Sequence, residues 1–468
     1  MRRAAGSWLV ALSLCVGGCS SLPTFGPDLA RHGAPLQLAG ARGPLSSAQS
    51  TAVLERLRSG AGVGARESDI FERHLAVEEA VTGSPLTTGN EVVLLQDGPS
   101  TYRAMLAAIE TARDHINLET YIFEDDEIGR KFAQALIAKQ RQGVQVNLMH
   151  DSVGTVATPK AFFEGLSAAG IAVLEFNPIN PLLARKGWEL NQRDHRKLLV
   201  VDGRTAFLGG INISSVYSGG SLLGSGSTTR PGVTAAKASS PWRDTDLQLQ
   251  GPVVADFQKL FTDAWAAQQG PPLAPRNYFP PPVNAGRQVV RAIGSSPDEA
   301  FSQIYATLLS AIGSAESSVL ITNAYFAPDP QLLAALSDAA ARGVDVKLIL
   351  PSQTDSWLVF HAGRAYYAQL LRAGVKIYER HGVILHSKSA LIDGVWATVG
   401  STNLDWRSFL HNHELNAVVL GAEFGRQMQA MFDKDLAASR AVTIETWGRR
   451  SPGLRLKELF ARAWEYWL

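Results

Sequence analysis

Two stretches of this chain carry the same reactive residues at the same spacing. The first holds His195-Arg-Lys197, then Asp202, Gly209-Gly210 and Asn212; the second holds His386-Ser-Lys388, then Asp393, Gly400-Ser401 and Asn403. Counted from each histidine, lysine stands at +2, aspartate at +7, glycine at +14 and asparagine at +17 in both. Five fixed residue types recur by chance in about one chain in ten thousand of this length, so a second copy marks a duplicated unit. On an extended segment residues two apart face the same way, which aims each histidine and its lysine at one site. Imidazole, ammonium and a nearby amide suit a phosphodiester: a nucleophile or proton donor, with donors for the phosphate oxygens. Asp202 and Asp393 precede Gly203 and Gly394 and read as turn or salt-bridge residues rather than catalytic groups.

The flanking sequence repeats as well. Met105–Phe123 echoes Leu308–Phe326, a helical pattern running into an apolar strand. In each half a helix, a strand entered by Gly143-Val-Gln-Val146 or Gly343-Val-Asp-Val346, and a second helix follow. This alternation predicts an α/β fold of two similar lobes: 89–267 and 288–440, joined by a Pro-rich linker at 268–287. Helical patches are expected near Ala48–Ser59 and Glu67–Val81, within an N-terminal region 19–88 that begins as a Gly/Pro/Ala/Ser-rich tether to about Ser47. The stretch Ser214–Ser240, rich in Ser, Gly and Thr and lacking a counterpart in the second half, reads either as a mobile lid or as plain disorder. In the segment 441–468, Leu456, Leu459, Phe460, Ala463, Trp464, Trp467 and Leu468 form an apolar helical stripe. That helix either docks on the body or lies at a membrane interface, where Trp464, Tyr466 and Trp467 suit the headgroup layer.

Composition narrows the classes. The 468 residues have 44 Lys+Arg against 43 Asp+Glu, a net charge of +1, where a dedicated nucleic-acid binder is usually basic. Both cysteines, Cys15 and Cys19, lie in the first nineteen residues, which leaves the body without a disulfide or a Cys-based zinc site. Met1-Arg-Arg3, an apolar run over Ser7–Val16 and small residues after it read as a signal peptide over 1–18, too short to span a bilayer. Val16-Gly-Gly-Cys19 resembles a bacterial lipobox, which implies acylation at Cys19. With Ser20 following, the resemblance implies a periplasm-facing protein anchored in the outer membrane of a Gram-negative bacterium.

The paired H-x-K-x4-D motifs identify the chain as resembling the phospholipase D superfamily over roughly Gln96 to Ala437. Asn117–Phe123, Val201–Asn212, Trp242-Arg-Asp-Thr245 with Gly251-Pro252, and Gly400–Ser408 are similar to bacterial cardiolipin synthases. That branch commonly has N-terminal transmembrane segments where this chain has the lipobox-like signal. The resemblance implies two lobes about a pseudo-twofold axis with one shared active site, and a two-step mechanism without metal or cofactor. His195 would attack phosphorus to give a phosphatidyl-histidine, and His386 would act as acid and then base. Lys197, Lys388, Asn212 and Asn403 would hold the nonbridging oxygens. Gly210 stands where the second motif has Ser401, so one hydroxyl donor is missing from the first lobe.

A histidine nucleophile needs an acceptor on its far nitrogen. Glu414, 28 residues after His386, matches the family's position for that carboxylate. In the first half Asp244 or Asp246 could serve, both lying on one face if Trp242–Gln250 is a single strand. The function implied is phosphatidyl transfer, cardiolipin from phosphatidylglycerol and a second phospholipid, with phospholipid substrates and a membrane surface as partners and no nucleic acid. The alternatives are hydrolysis by the same chemistry, a nuclease, and a silent lipid-binding protein.

Overall fold

The computed structural model describes residues 36–60, 70–183, 188–219 and 240–467. The signal and lipobox, and the loop from 220 to 239, lie outside them.

Each lobe is built on a sheet of the same order. In the first, strands run Leu86–Leu95, Asp246–Gln250, Thr205–Gly209, Leu198–Val201, His115–Thr120, Gln145–Asp151, Ala172–Phe176; the last three are parallel. The second repeats it as Gln288–Ser295, Asn412–Leu420, Trp396–Gly400, Lys388–Ile392, Ser318–Asn323, Asp345–Pro351, Lys376–Arg380. The first strands of the two series, Leu86–Leu95 and Gln288–Ser295, pair antiparallel and fuse the sheets at the pseudo-twofold.

Strand alternation explains the layering. Along Leu198-Leu-Val-Val201, Leu198 and Val200 enter a core shared by both lobes, while Leu199 and Val201 enter the first lobe's outer core. In the second lobe Leu391 joins the shared core, and Ala390 and Ile392 the outer one. The helices Val254–Ala267 and Ala422–Ala437 contribute Phe257, Phe261, Phe424 and Phe432 to the shared core, so the lobes are welded by apolar burial as well as by strand pairing. Outer helices begin where the sequence supplies caps: Asp97, Asp126 and Asp329 each accept a backbone N–H of the first turn.

Three expectations need amendment. The tether ends before Leu38: Leu38–Gly40 pairs with the strand from Leu86, and Leu38 is fully buried in the second lobe's outer core. The Pro-rich segment 268–287 has no helix or strand but is strapped to the first lobe, with Trp265 Nε1 donating to the Pro271 carbonyl and Asn277 N–H to Asp114. Trp242–Gln250 is not one strand; Trp242–Arg243 and Asp246–Gln250 belong to different pairings. The helices are Ser47–Gly60 and Leu75–Thr82, the second preceded by a π-helical turn, Ile70–His74. No helix among the described residues is long and apolar enough to cross a membrane.

Candidate active site

Each motif sits at the root of a tight hairpin. Leu198–Val201 turns into Thr205–Gly209 through Asp202-Gly203, and Lys388–Ile392 into Trp396–Gly400 through Asp393-Gly394. Each connection has three residues, closed by Arg204 or Val395, and its Asp and Gly have positive φ, +53° and +60° in the first and +51° and +67° in the second, a conformation Asp-Gly tolerates. The Asp202 carboxylate accepts the backbone N–H groups of Arg113, Asp114 and His115; Asp393 accepts those of Glu316, Ser317 and Ser318. The motif aspartates thus fasten each hairpin to the start of the neighbouring strand, away from the cleft.

The histidines are positioned by strands exchanged between lobes. Arg193–Asp194 pairs in parallel with Asn412–His413, and Trp242–Arg243 with Ile384–Leu385. Carried one residue further, these registers set Glu414 beside His195 and Asp244 beside His386. His195 Nδ1 lies 3.0 and 3.1 Å from the two Glu414 oxygens, and His386 Nδ1 is 2.6 Å from Asp244 Oδ2. Each histidine is therefore held by a carboxylate from the other lobe. Asp246, the alternative to Asp244, holds no histidine: its Oδ1 accepts the Ile211 N–H at 3.1 Å. The strand break at Asp244–Thr245 separates two residues that an unbroken strand would have placed on one face.

The donors around Glu414 assign the proton. Ser401 Oγ and Asn412 Nδ2 both donate to it, so the carboxylate is acceptor-only, Nδ1 of His195 carries the proton and the Nε2 lone pair is free. Burial pushes His195 well below the ordinary imidazole range, helped by Lys197 and Lys388; burial also pushes Glu414 up to about 7 against the pull of Lys197. Both shifts disfavour charge in a dry site, and an uncharged His195 is what a nucleophile requires. His386 is lowered too, by burial and Lys388, while Asp244 pulls it back up.

Gly210 follows from Asp244. A Cβ there would stand 2.2 Å from Asp244 Oδ1, so the carboxylate fills the space that the second lobe gives to Ser401. The missing hydroxyl is replaced by the Thr245 N–H, which donates to Asp244 Oδ1 at 2.8 Å.

The two histidines and two asparagines line one cleft of about 360 Å³. Both lysines are buried, each Nζ donating to the carbonyl of its own motif histidine and standing over a tyrosine ring that lines the cleft, Lys197 at 5.3 Å from Tyr121 and Lys388 at 5.7 Å from Tyr325. Burial lowers Lys197 to about 7 and Lys388 to about 8. The asparagines are not equivalent. Asn212 Oδ1 accepts the Ile122 N–H and its Nδ2 donates to Tyr217 Oη, whereas Asn403 Oδ1 has no hydrogen-bond partner among the described residues. No three His, Cys, Asp or Glu among the described residues group as a metal site.

Sequence reasoning missed Tyr121 and Tyr325, which also meet His195 and His386 edge-on at 5.2 and 5.8 Å. The repeat hides them, because superposing Met105–Phe123 on Leu308–Phe326 matches Tyr121 with Ala324, one residue out of step. Tyr217 and Trp242, packed on His386, have no counterpart pattern at all.

Two matched hairpins, crossed carboxylates and one cleft between duplicated lobes define a phospholipase D-type enzyme. A family model described as cardiolipin synthase, PLD-like domain, matches residues 105–217 and 308–436, the two repeats. The chain is 35% identical over 381 residues to a cardiolipin synthase of Geobacillus kaustophilus, covering 81% of this chain and 72% of that protein. It is likewise 35% identical over 387 residues to cardiolipin synthase A of Pseudomonas entomophila, covering 81% and 75%. The solved phosphatidylserine synthase of Haemophilus influenzae shares the fold at TM-score 0.58 and 13% identity, over 81% of this chain and 95% of that one. The chain belongs to the cardiolipin synthase family of PLD-like proteins.

Proposed function

We propose that the enzyme transfers a phosphatidyl group from phosphatidylglycerol to the headgroup hydroxyl of a second phospholipid, making cardiolipin. The observation that carries this is the crossed pairing: both histidines are oriented and face one cleft, as a double displacement at phosphorus needs. His195 Nε2 attacks phosphorus, and His386 protonates the departing glycerol oxygen. The resulting phosphatidyl-histidine is cleaved by an acceptor hydroxyl whose proton returns to His386. Lys197 and Lys388 neutralise the nonbridging oxygens as charge gathers in the transition state, and the amide N–H groups of Asn403 and Asn212 donate to them, Asn212 being also fixed by the Ile122 N–H and Tyr217. Hydrolysis is the same path with water in the second step. The Val16-Gly-Gly-Cys19 run supports a lipid-anchored enzyme facing the periplasm.

One assay tests both parts. Membrane fractions from cells expressing the chain or its Cys19→Ala variant are given labelled phosphatidylglycerol, with and without phosphatidylethanolamine, and the lipids are read by mass spectrometry. Labelled cardiolipin is expected, with activity in the outer-membrane fraction and its release from there by Cys19→Ala. Phosphatidic acid alone would make the enzyme a hydrolase, and unchanged fractionation would remove the anchor.

A further inference from the structure

The C-terminal helix Pro452–Arg462 is docked by the face opposite to its apolar stripe. Glu458 and Ala461 are buried, Glu458 paired with Arg450 at 2.9 Å and Ala461 packed with Val359 and Ala362 of the helix Trp357–Arg364. Just beyond, the Glu465 carboxylate accepts the Tyr366 hydroxyl at 2.5 Å. Leu456, Leu459 and Phe460 consequently point outward, 67, 65 and 55% exposed, with Trp464 at 49%. A helix already anchored gains nothing in water from such a stripe, and contiguous exposed apolar residues of this kind mark an interaction surface.

The stripe continues to the mouth of the cleft. Phe460 lies 6.3 Å from Trp357, itself 45% exposed, and the residues around Trp357, Ser356 and Val359, line the cleft. Leu182, earlier in the chain than Arg193 and His195, is 90% exposed. Charge follows the same geometry. The basic residues of the helix, Arg455, Lys457 and Arg462, are all exposed, Arg455 donating to the Gly448 carbonyl and Arg462 standing over the Tyr366 ring, and its one acid, Glu458, is turned inward.

We propose that this collar, centred on Leu456, Leu459, Phe460 and Trp464, docks on an anionic phospholipid bilayer and sets the cleft mouth against the headgroup layer. The inference rests on the proposed function, since the continuity between stripe and cleft points to a bilayer only if the substrate resides in one. Outward aromatic and aliphatic side chains flanked by Lys and Arg are the features that hold a helix in that layer.

The test uses the full chain carrying Cys19→Ala, so that no acyl anchor masks the surface, with and without Leu456→Gln, Leu459→Gln and Phe460→Gln together. Binding to vesicles of phosphatidylglycerol and phosphatidylethanolamine is measured by sedimentation, and turnover is measured on those vesicles and on monomeric short-chain phosphatidylglycerol. Vesicle affinity and vesicle turnover are expected to fall about ten-fold or more, and short-chain turnover to stay unchanged. Equal vesicle binding by the two proteins overturns the proposal. So does equal loss on both substrates, or a dimeric parent that the triple variant converts to monomer, which would make the stripe an interface between copies. A parent inactive on short-chain phosphatidylglycerol would instead overturn the proposed function.

Discussion

At the scale of single residues, the site works by suppressing charge until substrate arrives. The two lysines are the sensitive point, because burial has lowered Lys197 to about 7 and Lys388 to about 8 while catalysis needs both as ammonium ions. As pH rises through these values in the free enzyme, first one and then the other loses its proton and its hold on phosphate. His195 moves the other way: a lowered value keeps imidazole neutral well into acid, below the ordinary imidazole range. The profile of kcat/KM, which reports free enzyme, is therefore expected to keep the acid limb of His195 below about 6.5 and to begin its alkaline fall with the acid His386, itself lowered by burial, before the lysines steepen it at about 7 and 8. Bound phosphate stabilises the ammonium forms, so the alkaline limb of kcat should lie higher. An alkaline limb of kcat/KM near the ordinary lysine value would show that the lysines are better solvated than their burial implies.

At the scale of elements, the Asp-Gly hairpins separate structure from chemistry within one motif. Asp393 holds three backbone N–H groups and the Ser317 hydroxyl in a left-handed conformation, at distances of 2.8–3.0 Å for the closest contacts. Asp393→Ala strands those donors and puts alanine at positive φ, which together cost about 3 kcal/mol. The urea midpoint should drop accordingly, with kcat per folded molecule within about two-fold of the parent. Collapse of kcat in a variant that still unfolds at the parental midpoint would return this aspartate to the catalytic set.

At the scale of the whole molecule, neither lobe is self-sufficient, because each histidine takes its carboxylate from across the pseudo-twofold. With a donor whose leaving group needs no acid, His386→Asn and Asp244→Asn should both still accumulate labelled phosphohistidine at His195. Glu414→Gln, although it lies in the lobe of His386, should slow that labelling by as much as 10⁴-fold, the order seen when a histidine loses its orienting carboxylate. If Asp244→Asn abolishes labelling and Glu414→Gln spares it, the nucleophile is His386. Shared burial of Phe257, Phe261, Phe424 and Phe432 makes the crossed geometry durable, since the lobes cannot part without exposing a common core.

The sequence by itself determined the duplication, the α/β alternation, the paired His-Lys sets and the turn character of Asp202 and Asp393. These are local: periodicity, spacing and Asp-Gly turn chemistry act within a few residues. Tertiary structure decided what depends on contacts between distant segments. Only the parallel pairing of Arg193–Asp194 with Asn412–His413 brings Glu414 to His195, across 219 residues, and only the break after Arg243 chooses Asp244 over Asp246. The outward stripe of the last helix is of the same kind. Its amphipathic pattern was legible, but which face meets the body was set by Ala461, small enough for close approach, and by the Glu458–Arg450 pair, and no periodicity within the helix encodes either partner.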